Sequence, residues 1–107
     1  MTTSTTNTAI LVTFTTAEGK ADAFAGILER ALPHIQAEEG TTVWLAGRSA
    51  TEPSTFYLVD VFASTEAQQA HMVGQAAKLI LSESSGLLAE PPVVSALSVI
   101  AVKNEAA

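Results

Sequence analysis

Two eight-residue runs, TTVWLAGR at 41–48 and TFYLVDVF at 55–62, stand on either side of SATEPS. Both runs are rich in β-branched and aromatic residues, and the Pro and Ser between them mark a turn. They predict a β-hairpin with a loop of six residues, longer than the commonest kind. A hairpin alone is marginal in water, so the segments before and after it must supply partners for its faces.

Those segments each hold a strand and a helical stretch. From Ala9 to Thr16, AILVTFTT reads as a strand, and Gly19 ends it. Beyond Ala21 the period becomes helical: Phe24, Ile27, Leu28, Ala31 and Ile35 fall on one face, with Asp22, Glu29 and Arg30 off it. Pro33 is expected to bend this helix near its end, and Gly40 to cap it. A second helix begins at Ser64 or Thr65, with Thr65 and Gln68 as a capping box and Glu66 at the positive end of the dipole. The prolines of GLLAEPP stop any helix, and VVSALSVIAV (93–102) is a last strand.

The order is β-α-β-β-α-β, the ferredoxin-like arrangement of an α+β fold: a four-stranded antiparallel sheet with helices on one face. The strands are too apolar for the other face to lie bare, so a homodimer pairing sheet against sheet is expected. We expect a single domain over 9–103, a flexible N-terminal tail at 1–8 and a short C-terminal tail at 104–107. No repeat or second domain is visible.

Composition narrows the function. Five basic against eleven acidic residues, a net charge of −6, argue against nucleic acid or an anionic membrane as partner. The chain has no cysteine, which removes disulfides, thiolate metal sites and Cys nucleophiles. No apolar run is long enough to span a membrane, and MTTSTTNT is not a signal peptide, so a cytoplasmic location is expected. There is no phosphate loop, GxSxG elbow, HExxH motif or paired-carboxylate spacing. Two distant histidines without a third ligand make no metal site.

His71 is the residue to explain. Ala67, Ala70, His71 and Gly74 share one helical face, while Met72, Val73, Ala76, Leu79 and Ile80 form a larger aliphatic stripe nearly opposite. One straight helix cannot set both against a sheet, so a break near Gly74 is expected, turning Ala67, Ala70 and His71 inward beside empty volume. Two readings stay open: a half-solvated boundary histidine, or a pocket residue. His34 reads as a solvated boundary residue.

Strand alternation adds neighbours. Thr42, Trp44, Ala46 and Arg48 share one face, as do Phe56, Leu58, Asp60 and Phe62, with Trp44 opposite Asp60 and Arg48 opposite Phe56. Again there are two readings. Trp44 packs and donates its indole N–H to Asp60 while Arg48 reaches solvent, or these groups line an aromatic pocket for a flat ligand.

The same order, with EEGTTVWLAGR, TFYLVDVFASTEAQQAH and LLAEPPVV at these spacings, resembles the antibiotic-biosynthesis-monooxygenase family over about Ala9 to Lys103. The resemblance implies a dimeric α+β barrel with a pocket between sheet and helices. It also implies oxidation of a phenolic or quinol-type substrate by O2 as co-substrate, with no metal, flavin or haem. Trp44, Phe62 and His71 match the family's pocket pattern best. Related haem-degrading enzymes carry a histidine ligand in the second segment of the broken helix and an asparagine in the first strand; this chain has neither.

The expected roles follow. His71 is the base that deprotonates a hydroquinone or polyketide phenol. Asp60 orients it or a substrate hydroxyl, and Arg48 offsets the anion's charge. Trp44, Phe62, Phe56, Ala67 and Ala70 bind the ring. The rival reading is a non-catalytic dimer that only binds a small aromatic. If His71 lines a roomy cavity, His71→Ala should cost about half a kcal/mol or less in stability while function is lost.

Overall fold

The computed structural model describes residues 8–103, and the expectations for residues 1–7 and 104–107 lie outside them. The elements are β1 (Thr8–Thr15), α1 (Ala21–Gln36), β2 (Thr41–Arg48), β3 (Thr55–Phe62), α2 (Thr65–Met72), α3 (Gln75–Glu83) and β4 (Val93–Ser98). The four strands form one antiparallel sheet in the order β2-β3-β1-β4, the ferredoxin-like topology.

Alternation sorts the sheet into two faces. Ile10, Val12 and Phe14 of β1 and Phe56, Leu58 and Phe62 of β3 are buried against the helices. They meet the five α1 residues the periodicity singles out, Phe24, Ile27, Leu28, Ala31 and Ile35, all buried. Phe24 sits among Phe14 and Phe56, ring centroids 4.8 and 5.0 Å away, the second edge-on. On the other face Leu45, Tyr57, Val93 and Leu97 stand exposed, Leu45 by 59%.

Local rules place the boundaries, with corrections. Gly19 ends the first strand's turn at φ +78°, a conformation that costs glycine little. Pro33 lies inside α1, which runs on to Gln36 and is capped by Ala37, not Gly40. The cap of α2 is Ser64, whose Oγ accepts from the Ala67 N–H; this replaces the Thr65–Gln68 box, and Gln68 instead accepts from Thr8. Thr8 thus belongs to β1 rather than to the tail. The last strand stops at Ser98, shorter than the apolar run that announced it. The break in the second helix falls at Val73–Gly74, as the two apolar phases require. Of the aliphatic stripe only Ala76 and Ile80 are buried, with Leu79 packed against the core; Met72 and Val73 are exposed.

Candidate functional site

Asp60 projects from β3, an inner strand, on the helix-facing side among Phe56, Leu58 and Phe62. It is 1% exposed. A carboxylate there needs a partner, since burying an unpaired charge is costly. The partner comes from α2: His71 Nε2 lies 3.2 Å from Asp60 Oδ2. The other ring nitrogen, Nδ1, lies 2.8 Å from Oε1 of Glu38, in the connection between α1 and β2. Thr41 Oγ1 donates to the same Glu38 oxygen at 2.7 Å. Phe62, fully buried, covers the imidazole with its ring centroid 5.0 Å away.

Small residues make this assembly possible. A Cβ on Gly40 would collide with the Cβ of Ala67, so glycine here lets the α1–β2 connection lie directly on α2. A Cβ on Gly74 would sit 3.2 Å from Glu38 Oε2, tighter than ordinary contact. The alanines and glycines around His71 thus serve close approach as well as leaving space. Beside them is an outer hollow of about 360 Å³ that Ala67, Ala70, Gly74, His34 and Glu38 help to line. Ala67 is half-buried against the core, but Ala70 is exposed rather than turned inward.

On the other side of His71 lies a cleft of about 150 Å³ between the sheet and the second helical pair. Its walls include Ile10, Val12, Phe14, Leu58, Ile80 and Val94, and its ionisable groups are Asp60 and His71. His71 therefore stands between an apolar cleft and an outer hollow.

Burial is the strongest single influence on the imidazole and pushes its pKa down. Hydrogen bonds to Asp60 and then Glu38, together with their charges, outweigh it and leave His71 above its ordinary value. Two acceptors flanking one ring favour the form with both nitrogens protonated. Two carboxylate oxygens in the group, Asp60 Oδ1 and Glu38 Oε2, are buried without a partner.

The remaining sequence-predicted residues gather elsewhere. Trp44 does pair across the strands with Asp60, and Arg48 with Phe56, as alternation requires. The indole N–H of Trp44 does not reach Asp60, however; it is buried with no partner. Trp44, Arg48 and Phe56 line a separate groove with Leu28 and Leu32 of α1, about 380 Å³ in volume. Arg48 is held there by Pro53 O at 2.7 Å and Asp22 at 3.1 Å, its guanidinium 5.3 Å from the Phe56 ring centre. Four residues of strand, roughly 13 Å, separate the position of Phe56 from that of Asp60. Sequence reasoning missed Glu38. It lies 33 residues from His71, and nothing in spacing alone joins a loop glutamate to that ring.

Among the described residues no group of His, Cys, Asp and Glu is placed to hold a metal ion. No helix there is long and apolar enough to cross a membrane.

A ferredoxin-like sheet with a buried polar group at one end of an apolar cleft defines a small α+β domain of the dimeric-barrel class. Residues 8–80 match the family described as antibiotic biosynthesis monooxygenase, and the chain belongs to that family. A Nitrosomonas europaea protein of unknown function is 36% identical, with 95% of this chain and 97% of that one covered and a TM-score of 0.88. A Pseudomonas aeruginosa protein at 20% identity (91% and 97% covered, TM-score 0.82) shares the fold. So does a Mycobacterium tuberculosis protein at 21% identity (94% and 99% covered, TM-score 0.78). No curated protein matches the chain. Family membership brings a monooxygenase-like or small-molecule-binding function.

Proposed function

We propose that this chain is a cofactor-independent monooxygenase, acting as a homodimer on a small electron-rich aromatic with O2 as co-substrate. The observation that carries the reading is the buried Asp60–His71 pair at the end of an otherwise apolar cleft. A cleft lined by aliphatic side chains with one converging polar group suits a ring with a hydroxyl at one end.

The geometry shifts the roles within that reading. With Nδ1 engaged by Glu38 and Nε2 by Asp60, His71 has no free ring nitrogen to turn toward a ligand's hydroxyl. Asp60 Oδ1, buried and without a partner, is the group able to take a phenolic proton. His71 then holds Asp60 through Oδ2 and tempers the charge of the phenolate that forms. For a hydroquinone the balance is one O2 consumed, one oxygen atom entering the ring, and the other leaving as water. The product is a hydroxyquinone, and the ring supplies all four electrons. Arg48 and Trp44, in the other groove, have no part in this step.

The test is oxygen consumption with a panel of hydroquinones and phenols in chelator-treated buffer, comparing wild type with Asp60→Asn. A general base is typically worth ~10² to 10⁴ in rate, so the variant should lose at least two orders of magnitude. Tight binding without oxygen uptake would instead mark the chain as a non-catalytic binding protein.

A further inference from the structure

The cleft beside Asp60 runs out into a trough that the helices leave uncovered. On β4, Val94 and Ala96 stand opposite Val12 and Ile10 in register, which puts them on the side of the sheet that the helices cover elsewhere. Both are exposed all the same, so the helical layer stops short of this edge strand. Ile10, Val12 and Phe14 of β1 are the buried floor. Met72 of α2, Leu81 of α3 and Val94 of β4 line the mouth and are exposed, Leu81 by 69%. Three large apolar side chains from three elements thus meet at one open edge, and exposed apolar surface gathered in this way marks a binding site. A dimer that pairs sheet faces uses the opposite side of the sheet and leaves this mouth open.

The inner end of the same space is polar. Asp60, its side chain 2% exposed, lines the cleft with Oδ1 free of any hydrogen-bond partner. A buried acceptor of this kind calls for a donor. Asp60 and Glu38 outnumber the one imidazole between them, so the group stays negative even with the ring protonated, and an anionic head is repelled. A protein segment laid over the rim would cover Met72, Leu81 and Val94 but leave Oδ1 without a donor. A donor head joined to an apolar chain meets both demands in one molecule. We infer that the site binds an amphiphile: a hydroxyl head donates to Asp60 Oδ1, and a flexible alkyl chain leaves the cleft between Val94 and the Met72–Leu81 rim. This rests on the cleft of the proposed function being the binding site; it adds the chain and is independent of the reaction.

Calorimetric binding of 1-hexanol, 1-decanol and decanoate to the full chain tests this. A fully buried methylene is worth about fourfold in affinity, and an open mouth buries the added ones in part. 1-Decanol should therefore bind at least about tenfold more tightly than 1-hexanol, and at least about tenfold more tightly than decanoate. Met72→Gln with Leu81→Gln changes two exposed positions, at little cost to folding. That double variant should hold 1-hexanol as wild type does and lose most of the gain from the longer chain. Equal affinity for the two alcohols, decanoate bound as tightly as 1-decanol, or an undiminished gain in the variant overturns the inference. So does a wild-type dimer that the variant turns into a monomer, since a second copy then covers the rim. Oxygen uptake with the hydroquinone panel on the same samples keeps the two readings apart. Chain-dependent binding with no uptake sinks the monooxygenase and leaves the amphiphile standing. Uptake with no gain from chain length does the reverse.

Discussion

Glu38 Oε1 and His71 Nδ1 lie 2.8 Å apart across 33 residues of sequence, joining the end of the first helical segment to the second. With Asp60 on the opposite nitrogen, the contact turns a lone cleft histidine into the centre of a three-residue charged group. What surrounds the imidazole, rather than its own ordinary titration, decides what it can do chemically.

His71→Ala should be structurally expensive, contrary to what a histidine among alanines suggests. The side chain is 9% exposed and lies between two carboxylates, one of them almost fully buried. Removing one partner of a buried ion pair costs up to roughly 3–5 kcal/mol, because the other charge is left uncompensated. Chemical denaturation should place the variant several kcal/mol below wild type; a loss under about half a kcal/mol would show that the group is solvated in solution.

The charge state of His71 can be read directly. The Asp60 hydrogen bond raises its pKa more than the Glu38 one does. Proton NMR titration of the ring should therefore show the midpoint falling in both Asp60→Asn and Glu38→Gln, and falling further in Asp60→Asn. The reverse order would mean that the outer carboxylate governs the ring.

Stability should follow from the same shift. A group whose folded-state pKa is raised contributes stability fully below its unfolded value and loses it as pH rises through the folded value. For His71 that window opens at the ordinary imidazole range and closes above its raised folded-state pKa. The melting temperature of wild type should fall across it, and Asp60→Asn should fall less steeply. A flat wild-type profile there would contradict the pairing.

Much of this was legible in the sequence because local rules and tertiary packing agree. The helical stripe Phe24, Ile27, Leu28, Ala31 and Ile35 is buried in full, and the register of Trp44 with Asp60 and Arg48 with Phe56 follows from a symmetric loop. The break at Gly74 follows from two apolar phases that one helix could not satisfy. The polar network was not legible. Alternation puts Trp44 across from Asp60, but which side chain reaches the carboxylate depends on how α2 is seated over the sheet. That seating rests on the contact between Gly40 and Ala67, two residues that read as a helix cap and a pocket lining.

Gly40→Ala tests that seating. The added methyl would overlap the Ala67 Cβ, forcing α2 away from the α1–β2 connection and loosening Glu38 from His71. Overpacking of this kind typically costs about 1–3 kcal/mol. Ala67→Gly alone should cost about 1 kcal/mol as a helix substitution. Combined with Gly40→Ala it should recover part of the loss, which a double-mutant cycle measures. Strict additivity would show that the two residues do not touch.

The last prediction concerns the bare sheet face. Leu45, Val59 and Leu11 form one cross-strand row there, flanked by Tyr57 and Val93 on one side and Leu97 on the other. Helices cover the opposite face only, and an apolar sheet surface of this extent marks an association site. A sheet-to-sheet homodimer buries it, and Val59, on an inner strand, lies at the middle of the row. Val59→Glu on a monomer would place a charge on a partly exposed position, at little cost to folding. In the dimer it would bring two like charges into an apolar interface. Sedimentation equilibrium at micromolar concentration should give a dimer for wild type and a monomer for Val59→Glu, with the variant melting lower because the interface is lost. A wild-type monomer under these conditions, or a variant that dimerises as tightly as wild type, would rule out this face as the interface.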